Sequence, residues 1–418
     1  MQVCVVGSGG REHALADVLS RTSDVVVTPG NAGIPGSVAT PPEQIDADLF
    51  VIGPEVPLVD GLADRLREHG RAVFGPGADG ARLEGSKAWM KRVLDDSGVP
   101  TARHGSFTDV DPALAYLDTM APPFVVKTDG LAAGKGVVVT ESLTEARNAV
   151  GDYLSGQAFG DAGRTVVIEE GMVGPELSVL AVSDGRRAVL LPPAQDFKRI
   201  GDHDEGPNTG GMGAYSPVAM VDDAVLGDVM DRFIEPTLAR LQALDIDYRG
   251  VLYAGLMMTT EGPRMLEYNV RFGDPETQVV LPRLTSDLAE LLAQAAAGRI
   301  VDEPTFSSDH TVTVVCASEG YPGSPRTGDP ISGIDAARSI DGVSVYCAGV
   351  ATGADGALVT ASADGALVTA GGRVLNVCGR GPTLAEARRR AYEGVAHIEW
   401  PGMYHRTDIA RAAQAAGS

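Results

Sequence analysis

"FVVKTDGLAAGKGVVVT", residues 124–140, decides the fold. Two short apolar runs flank a loop that carries three glycines and Lys135, and Lys127 closes the first run. In a P-loop the glycines lead from a strand into a helix. Here a second strand follows them, so the segment predicts a β-hairpin. Such a hairpin can fold over a polyphosphate, with its glycine N–H groups and lysines meeting the phosphate oxygens. A glycine-rich hairpin with solvated lysines is the plainer alternative.

Downstream, "VVIEEGMVGPELS" (166–178) reads as strand, linker, strand. Glu169 and Glu170 end the first strand and Glu176 opens the second. A linker between two lobes can offer backbone groups to a base edge and a carboxylate to ribose hydroxyls, although a hairpin with surface acids gives the same pattern. Further on, the apolar "GVLYAGLMMTT" (250–260) runs into "RMLEYNVRFGDPETQ" (264–278). Alternate residues of a strand share a face, so Glu267, Asn269 and Arg271 are expected to point the same way. A carboxylate and an amide oxygen are hard ligands suited to Mg²⁺, which keeps water and phosphate oxygens as its other ligands. Arg271 can take a phosphate oxygen. Gly273-Asp274-Pro275 breaks the strand, with Asp274 and Glu276 expected at the mouth. The seven histidines show no zinc-site spacing.

Upstream, "QVCVVG", "DVVVTPGN", "DLFVIGPE" and "RAVFGP" read as strands. Helices are expected from about Arg11 to Ser20 and over "LVDGLADRLREHG", and this rhythm implies a parallel sheet. "VVGSGGREH" (5–13) puts a glycine turn before a helix, where an anion can bind. In a GxGxxG reading the third glycine falls on Glu12, and the second strand ends without the acid that would hold a ribose diol. With Arg11 beside the turn, a phosphate monoester fits better than a dinucleotide. "PGNAG" (29–33) ends the next strand on the same edge.

Ser86 caps a helix, "KAWMKRVLDDSGVP", closed by Gly98 and Pro100. From about 121 to 194 strands follow one another with one helix near 142–154, as in an α+β lid. A long helix is expected over about 222–244. The last domain starts near His310 and ends with a helix in "TLAEARRRAYEGVAHI". Leu384, Ala387, Ala391, Val395 and Ile398 share one face of it. "ADGALVTA" occurs at 354–361 and again at 363–370, and reads as a hairpin with Asp-Gly turns.

The 418 residues suggest about three domains. A net charge of −22, from 34 Lys+Arg against 56 Asp+Glu, argues against nucleic acid or an anionic membrane as partner. Cys4, Cys316, Cys347 and Cys378 form no CxxC and are expected to be buried thiols in a reducing compartment. No segment approaches the ~18 apolar residues of a membrane span, and no cationic leader is read. A soluble, cytoplasmic protein is expected.

Together these segments resemble the ATP-grasp ligases, and within them the glycinamide ribonucleotide synthetases (phosphoribosylamine–glycine ligases). "GSGGREHAL", "PGNAG", "GPEVPLVDGL", "LEGSKAWMK", "VVKTDGLAAGKGV", "QDFKRIGDHDEGPNTGGMGAYSP", "VLYAGLMM" and "EYNVRFGDPETQ" carry the resemblance, in the family's order. It implies an α/β and α+β multidomain chain. A Rossmann-like N-terminal domain would cover 1–86, a two-lobed ATP-grasp unit 87–309 with a lid lobe at about 121–194, and a small α+β C-terminal domain 310–418. It implies ATP-dependent ligation of glycine to 5-phosphoribosylamine through glycyl phosphate, a step of purine biosynthesis, by a monomer.

Carried over by position, Glu267 and Asn269 resemble the Mg²⁺ or Mn²⁺ ligands. Lys127, Gly130, Ala133, Gly134, Lys135, Gly136 and Val137 resemble the ATP phosphate grip. Glu169, Glu170 and Met172 resemble the adenine hinge, and Glu176 the ribose contact. Gly9, Gly10, Arg11, Asn31, Gly33 and the turn Asn208, Thr209, Gly210, Gly211, Met212, Gly213 resemble the ribosylamine pocket. Arg271, Asp274, Lys198 and Asp196 are the candidate catalytic groups. Only 19 residues (34–52) separate "GNAG" from "GPEVP", so one βα element of the first domain is expected to be missing or collapsed. Another ATP-grasp ligase, a nicotinamide oxidoreductase and a nucleotide-binding protein without turnover are the rival readings.

Overall fold

The computed structural model describes residues 1–131, 136–156, 164–353 and 367–416. Its N-terminal sheet is parallel, in the order Asp24–Pro29, Gln2–Gly7, Leu49–Ile52, Val73–Phe74. The Val/Ile/Leu-rich strands lie buried between helices, as parallel strands require. The crossover from Pro29 to Leu49 contains no α-helix, only the 3-10 turn Pro42–Gln44. Instead the chain folds back at once, and Val27 N–H donates to Gly36 O while Val38 N–H donates to Val27 O. The short 34–52 segment thus makes the crossover without a helix. The helix expected over "LVDGLADRLREHG" is split into Glu55–Val59 and Leu62–Glu68, because Gly61 between them adopts φ 76°.

Helix Lys87–Ser97 starts where Ser86 Oγ accepts from Trp89 N–H and stops at Gly98, φ 68°. It leads into a four-stranded antiparallel sheet ordered His104–Phe107, Val166–Glu170, Phe124–Thr128, Val137–Thr140. Helices Val110–Leu117 and Leu143–Leu154 cover one face, burying Leu117, Val126, Val150 and Ile168. The strands expected together over 121–194 are divided between two sheets. Glu176–Asp184 and Ala188–Leu190 join Arg249–Thr259 and Gly262–Asn269 instead. Glu176–Asp184 is buried along nearly its whole length, and pairing with the equally apolar Arg249–Thr259 satisfies its backbone where water cannot. The lid sheet therefore ends at Glu170, and residues 171–175 are the link between lobes.

The helix expected over 222–244 runs as Asp223–Val229, a π turn Met230–Ile234, and Glu235–Ala243. Pro236, which has no N–H to donate, follows the π turn. The last antiparallel sheet is ordered Gln195–Asp196, Gly213–Ser216, His310–Ala317, Arg373–Gly381, Val343–Cys347. Its first two strands come from before residue 310, so the C-terminal region is hydrogen-bonded to the segment carrying Asp196 and Lys198. Helix Leu384–Val395 packs on it through Ala387, Ala391 and Val395. Val350–Thr352 pairs with Leu367–Thr369, which belongs to the second "ADGALVTA" copy. Residues 354–366 lie outside the described residues. All four cysteines are buried and free. Among the described residues no helix is long and apolar enough to cross a membrane.

Candidate functional site

A cavity of about 500 Å³ opens where the N-terminal sheet, the lid, the Gly262–Asn269 strand and the last sheet converge. Glu267 and Asn269 line it, while Tyr268 between them is buried, its hydroxyl donating to Phe233 O. The alternation expected of this strand is what the structure has. Beyond the strand end, Arg271 stays on the cavity side. Its Nη2 donates to Asn269 Oδ1 over 3.1 Å and to Glu84 Oε1 over 2.9 Å, and its Nε to Glu55 Oε2 over 3.3 Å. Burial opposes the guanidinium charge, but Glu84 and Glu55 outweigh it and hold the pKa above its ordinary value. Burial likewise pushes the Glu84 carboxyl up, against the pull of Arg271.

No hydrogen bond or ion pair among the described residues engages the Glu267 carboxylate. Its charged neighbours are Lys87 and Glu84. An unengaged carboxylate beside an amide oxygen, facing a cavity, fits a hard divalent cation that draws its remaining ligands from water and phosphate. Among the described residues no three His, Cys, Asp or Glu could hold a metal by themselves. That is compatible with a cation shared between protein, water and phosphate.

On the lid side, Gly130, Gly136 and Val137 line the cavity. Ala133, Gly134 and Lys135 lie outside the described residues. Lys127 is not in the lining. It is buried, with Nζ 3.0 Å from both Glu169 carboxylate oxygens. The sequence reading missed Lys87, which lines the cavity and donates to Gly130 O over 2.8 Å. A lysine in the first turn of a helix opposes the helix dipole, and that anomaly right after the Ser86 cap was the available signal. Burial lowers its pKa, opposed by Glu267. Asp129 joins loop to helix, accepting from Ser86 Oγ at 3.0 Å and Ala88 N–H at 3.1 Å.

At the link between lobes, Glu169 is 2% exposed. Its side chain serves Lys127 and Lys91. Glu170 accepts from Arg103 N–H and pairs with Arg264 at 3.1 Å. Met172 is half-buried within the link. Glu176 pairs with Lys198 at 2.8 Å, and Lys198 also donates to both Asp196 oxygens at 2.8 and 2.9 Å. Burial works against the Lys198 charge, but Asp196 and Glu176 keep it protonated well above the usual range.

The first glycine turn differs from its reading as an anion receptor. Glu12 reaches back, and Gly9 N–H donates to its Oε2 over 2.6 Å. The chain's own carboxylate fills that position and pairs with Arg11 at 2.6 Å. Arg11 still lines the cavity and donates to Phe272 O. Gly10, Asn31 and Gly33 do not line it; they form the joint with the last sheet. A Cβ at Gly10 would lie 2.2 Å from Asn376 Nδ2, and one at Gly33 2.4 Å from Cys347 Sγ. Asn31 Nδ2 donates to Ser8 O, Cys347 O and Ala348 O. Of the turn at 208–213, Thr209 and Gly210 line the cavity. Asn208 ends a strand, Gly211 (φ 106°) passes against Pro275, and Met212 and Gly213 are buried.

Asp274 accepts from Gln278 Nε2 at 2.7 Å and pairs with Arg373 at 3.0 Å. Burial opposes its charge, but Arg373 and Arg11 hold the carboxyl below its ordinary value. Glu276, expected at the mouth, is instead 3% exposed at the cavity floor, where Oε1 accepts from Tyr253 and Ser178 hydroxyls at 2.9 and 3.3 Å. The sequence reading also missed Tyr253, and missed Tyr321 and Arg373 from the last region. Arg373 donates to Gly210 O and Asp274 O, and Gly210 N–H donates to the Tyr321 hydroxyl at 3.0 Å. Two groups of side chains line the cavity. Arg271, Asn269, Glu267 and Lys87 form one, Asp274, Arg373 and Thr209 the other, and Arg11 meets Arg271 on the Phe272 carbonyl between them.

Three family models match in chain order: the phosphoribosylglycinamide synthetase N domain over residues 1–84, its ATP-grasp (A) domain over 85–277 and its C domain over 311–412. The chain is 48% identical over 436 residues to a phosphoribosylamine–glycine ligase of Streptomyces coelicolor, covering 100% of both. It is 45% identical over 430 residues to the Escherichia coli (strain K12) protein of that name, covering 98% of each. A crystal structure of the Thermotoga maritima phosphoribosylamine–glycine ligase superposes with a TM-score of 0.84 at 36% identity, covering 98% of this chain and 100% of that one. At 16% identity, the biotin carboxylase domain of a Hydrogenobacter thermophilus 2-oxoglutarate carboxylase superposes with a TM-score of 0.70, covering 97% and 91%. That last likeness is one of fold.

Proposed function

The chain belongs to the phosphoribosylglycinamide synthetase family, and we infer that it joins glycine to 5-phosphoribosylamine in purine biosynthesis, using ATP and a divalent metal. The observation that carries the site assignment is the Glu267–Asn269–Arg271 edge facing the glycine hairpin across one cavity.

A carboxylate is a poor electrophile, so glycine must first become an acyl phosphate. The ATP γ-phosphoryl passes to a glycine carboxylate oxygen and ADP leaves. The ribosylamine nitrogen then attacks the acyl carbon, the C–N bond forms, the acyl C–O bond breaks, and phosphate departs while the nitrogen gives up its proton to the phosphate or to water. Phosphoryl transfer needs position and charge neutralisation more than covalent help from the protein. Mg²⁺ or Mn²⁺ held by Glu267 and Asn269 would supply Lewis-acid neutralisation of the phosphoryl oxygens. Lys87 and Lys127 meet the phosphates beside the Gly130–Val137 loop, and Arg271 takes an oxygen of the transferring group. The link from Glu169 through Met172 borders the base and Glu176 the ribose hydroxyls.

Arg11, Arg373 and the Thr209–Gly210 turn receive the ribosylamine. Asp274, kept ionised by its two arginines, orients that substrate and is a poor proton acceptor. Asp196 and Lys198 pair with each other on the cavity wall and keep its charge balanced. Closure of the lid would keep water from the acyl phosphate. A cytoplasmic monomer suits these roles.

Measuring ADP release with glycine and ribosylamine omitted in turn tests the reading. ADP must depend on glycine; release that ignores glycine overturns it.

A further inference from the structure

Lys91 is buried, charged and unused by the chemistry above. It stands one helical turn beyond Lys87, and its side chain is 1% exposed. Its Nζ donates to Thr101 Oγ1 at 2.8 Å and lies 3.2 Å from Glu169 Oε1. Thr101 Oγ1 passes the contact on, donating at 2.7 Å to Met265 O, two residues before Glu267. One ammonium therefore touches the helix, the segment entering the lid, the lid strand that ends at Glu170 and, through Thr101, the strand of the metal edge.

Glu169 also carries Lys127, whose side chain is 10% exposed against 1% for Lys91. Two ammoniums share one carboxylate, so the cluster holds a surplus positive charge in a buried place. A structural ion pair needs only one cation, because burying a second is costly unless something anionic joins it. Neither lysine meets Glu169 Oε1 in hydrogen-bond alignment, so the cluster is not closed on itself. Of the two, Lys127 is nearer the opening and begins the segment that leads into the glycine loop.

We propose that Lys91 is a positioning residue for ATP: it holds Glu169 paired and in place, so that Lys127 can turn its ammonium from Glu169 to a phosphate oxygen without leaving a buried carboxylate unpaired. This rests on Lys127 as a phosphate contact. The groups facing Lys91 are Glu169 and Lys127 from the lid, Asp95 from its own helix and the neutral Thr101. Burial and Lys127 lower its pKa to about 8 despite Glu169. Once Lys127 turns to a phosphate, Lys91 is the cation left on Glu169, and that favours its protonated form. MgATP affinity should therefore be full below pH 8 and fall as pH rises through it.

The test is the dissociation constant of MgATP by calorimetry, with kcat and KM, for wild type, Lys91→Met, Lys127→Met, Glu169→Gln and Lys91→Met/Glu169→Gln. Loss of one partner of a buried charged cluster predicts an affinity about ten- to a hundred-fold weaker in Lys91→Met, with kcat changed much less. The fall in affinity above pH 8 should vanish in that variant. In the Glu169→Gln background, where no carboxylate needs a partner, removing Lys91 should change affinity less than about twofold. Wild-type affinity in folded Lys91→Met, or an equal loss in both backgrounds, overturns the proposal. If Lys91→Met does not fold, the Glu169→Gln pair and the wild-type pH profile still decide it. Wild-type affinity in Lys127→Met would show that the phosphate reading itself had failed, and the proposal with it.

Discussion

Asn269 is held by Arg271, whose Nη2 donates to its Oδ1 over 3.1 Å. The amide oxygen proposed as a metal ligand is therefore already oriented, and among the described residues the Glu267 carboxylate beside it is unengaged. Replacing both, Glu267→Ala with Asn269→Ala, should lower kcat/KM about a thousand-fold, since metal neutralisation of the phosphoryl group contributes several kcal/mol. Circular dichroism and the melting temperature should stay near wild type. Near-normal turnover in the double variant would put the metal elsewhere.

Glu84 sets the charge around that ligand. It pairs with Arg271 at 2.9 Å and accepts from Val270 N–H at 2.9 Å. Glu84→Gln keeps an oxygen for the N–H and removes the charge, leaving Arg271 to Glu55 and Asn269. A less well neutralised guanidinium beside the cation should raise the Mg²⁺ concentration for half-maximal activity about ten- to a hundred-fold. A Mg²⁺ titration at saturating ATP and glycine reads this directly, and an unchanged midpoint would remove Glu84 from the site.

How much was legible in the sequence follows from how local each signal is. Glu267 and Asn269 could be read because strand alternation is local and an apolar run fixed which face was buried. The glycine hairpin was read from its flanking strands in the same way. Glu84, Tyr321 and Arg373 were missed because they reach the cavity from elements far apart in sequence, and Tyr253, which pairs opposite Asn269 in the same hairpin, because a tyrosine in an apolar run reads as core. A strand end such as Asn31–Gly33 gives the edge of the sheet but not what docks on it. Sheet membership beyond Glu170 is not local either, because Glu176–Asp184 is as β-prone as its neighbours. Only its pairing with Arg249–Thr259, some seventy residues on, puts it in another sheet.

Arg373 brings the last sheet to the Asp274 side of the cavity, the side proposed to receive the ribosylamine. It pairs with Asp274 at 3.0 Å and donates to the carbonyls of Gly210 and Asp274. Arg373→Met keeps the stem and removes the ion pair and both carbonyl hydrogen bonds at once. The KM for ribosylamine should rise about ten- to a hundred-fold, as for a lost partner of a desolvated charge pair, while the KM for ATP changes less than about twofold. Equal rises in both would mean that Arg373 supports the whole cavity and not one side.

His13 gives a stability signature that depends on pH. Its ring is buried between the first domain and the last sheet, and Nδ1 accepts from Cys347 N–H at 2.8 Å. Burial, and then Arg338, depress its pKa to about 3. A depressed histidine is neutral when folded and takes a proton on unfolding below its ordinary pKa of about 6.5. Its contribution is therefore complete above pH 6.5 and is lost, by about 1.4 kcal/mol per pH unit, as pH falls toward 3. His13→Asn keeps an acceptor and removes the titration. Between pH 6.5 and 5.0, urea unfolding should show wild type losing about 2 kcal/mol more than the variant. Parallel losses would mean that His13 is protonated in the fold.

Gly33 separates a joint from a pocket. A Cβ there would meet Cys347 Sγ at 2.4 Å and Cys347 Cβ at 2.6 Å, both in the buried face of the last sheet. Overpacking of a tight contact costs about 1–3 kcal/mol, so Gly33→Ala should lower the apparent melting temperature by several degrees. Cys347→Ala removes the sulfur, the nearest atom, and leaves the Cβ contact, so the double variant should lose less than the sum of the two single losses. The KM for ribosylamine should stay within about twofold of wild type, since Asn31 and Gly33 hold the first domain to the sheet and the proposed substrate contacts are Arg11, Asp274 and Arg373. A raised KM at unchanged stability would return Gly33 to the pocket. It would also mean that the joint opens during turnover, because a side chain at Gly33 can reach the cavity only if Cys347 first moves away.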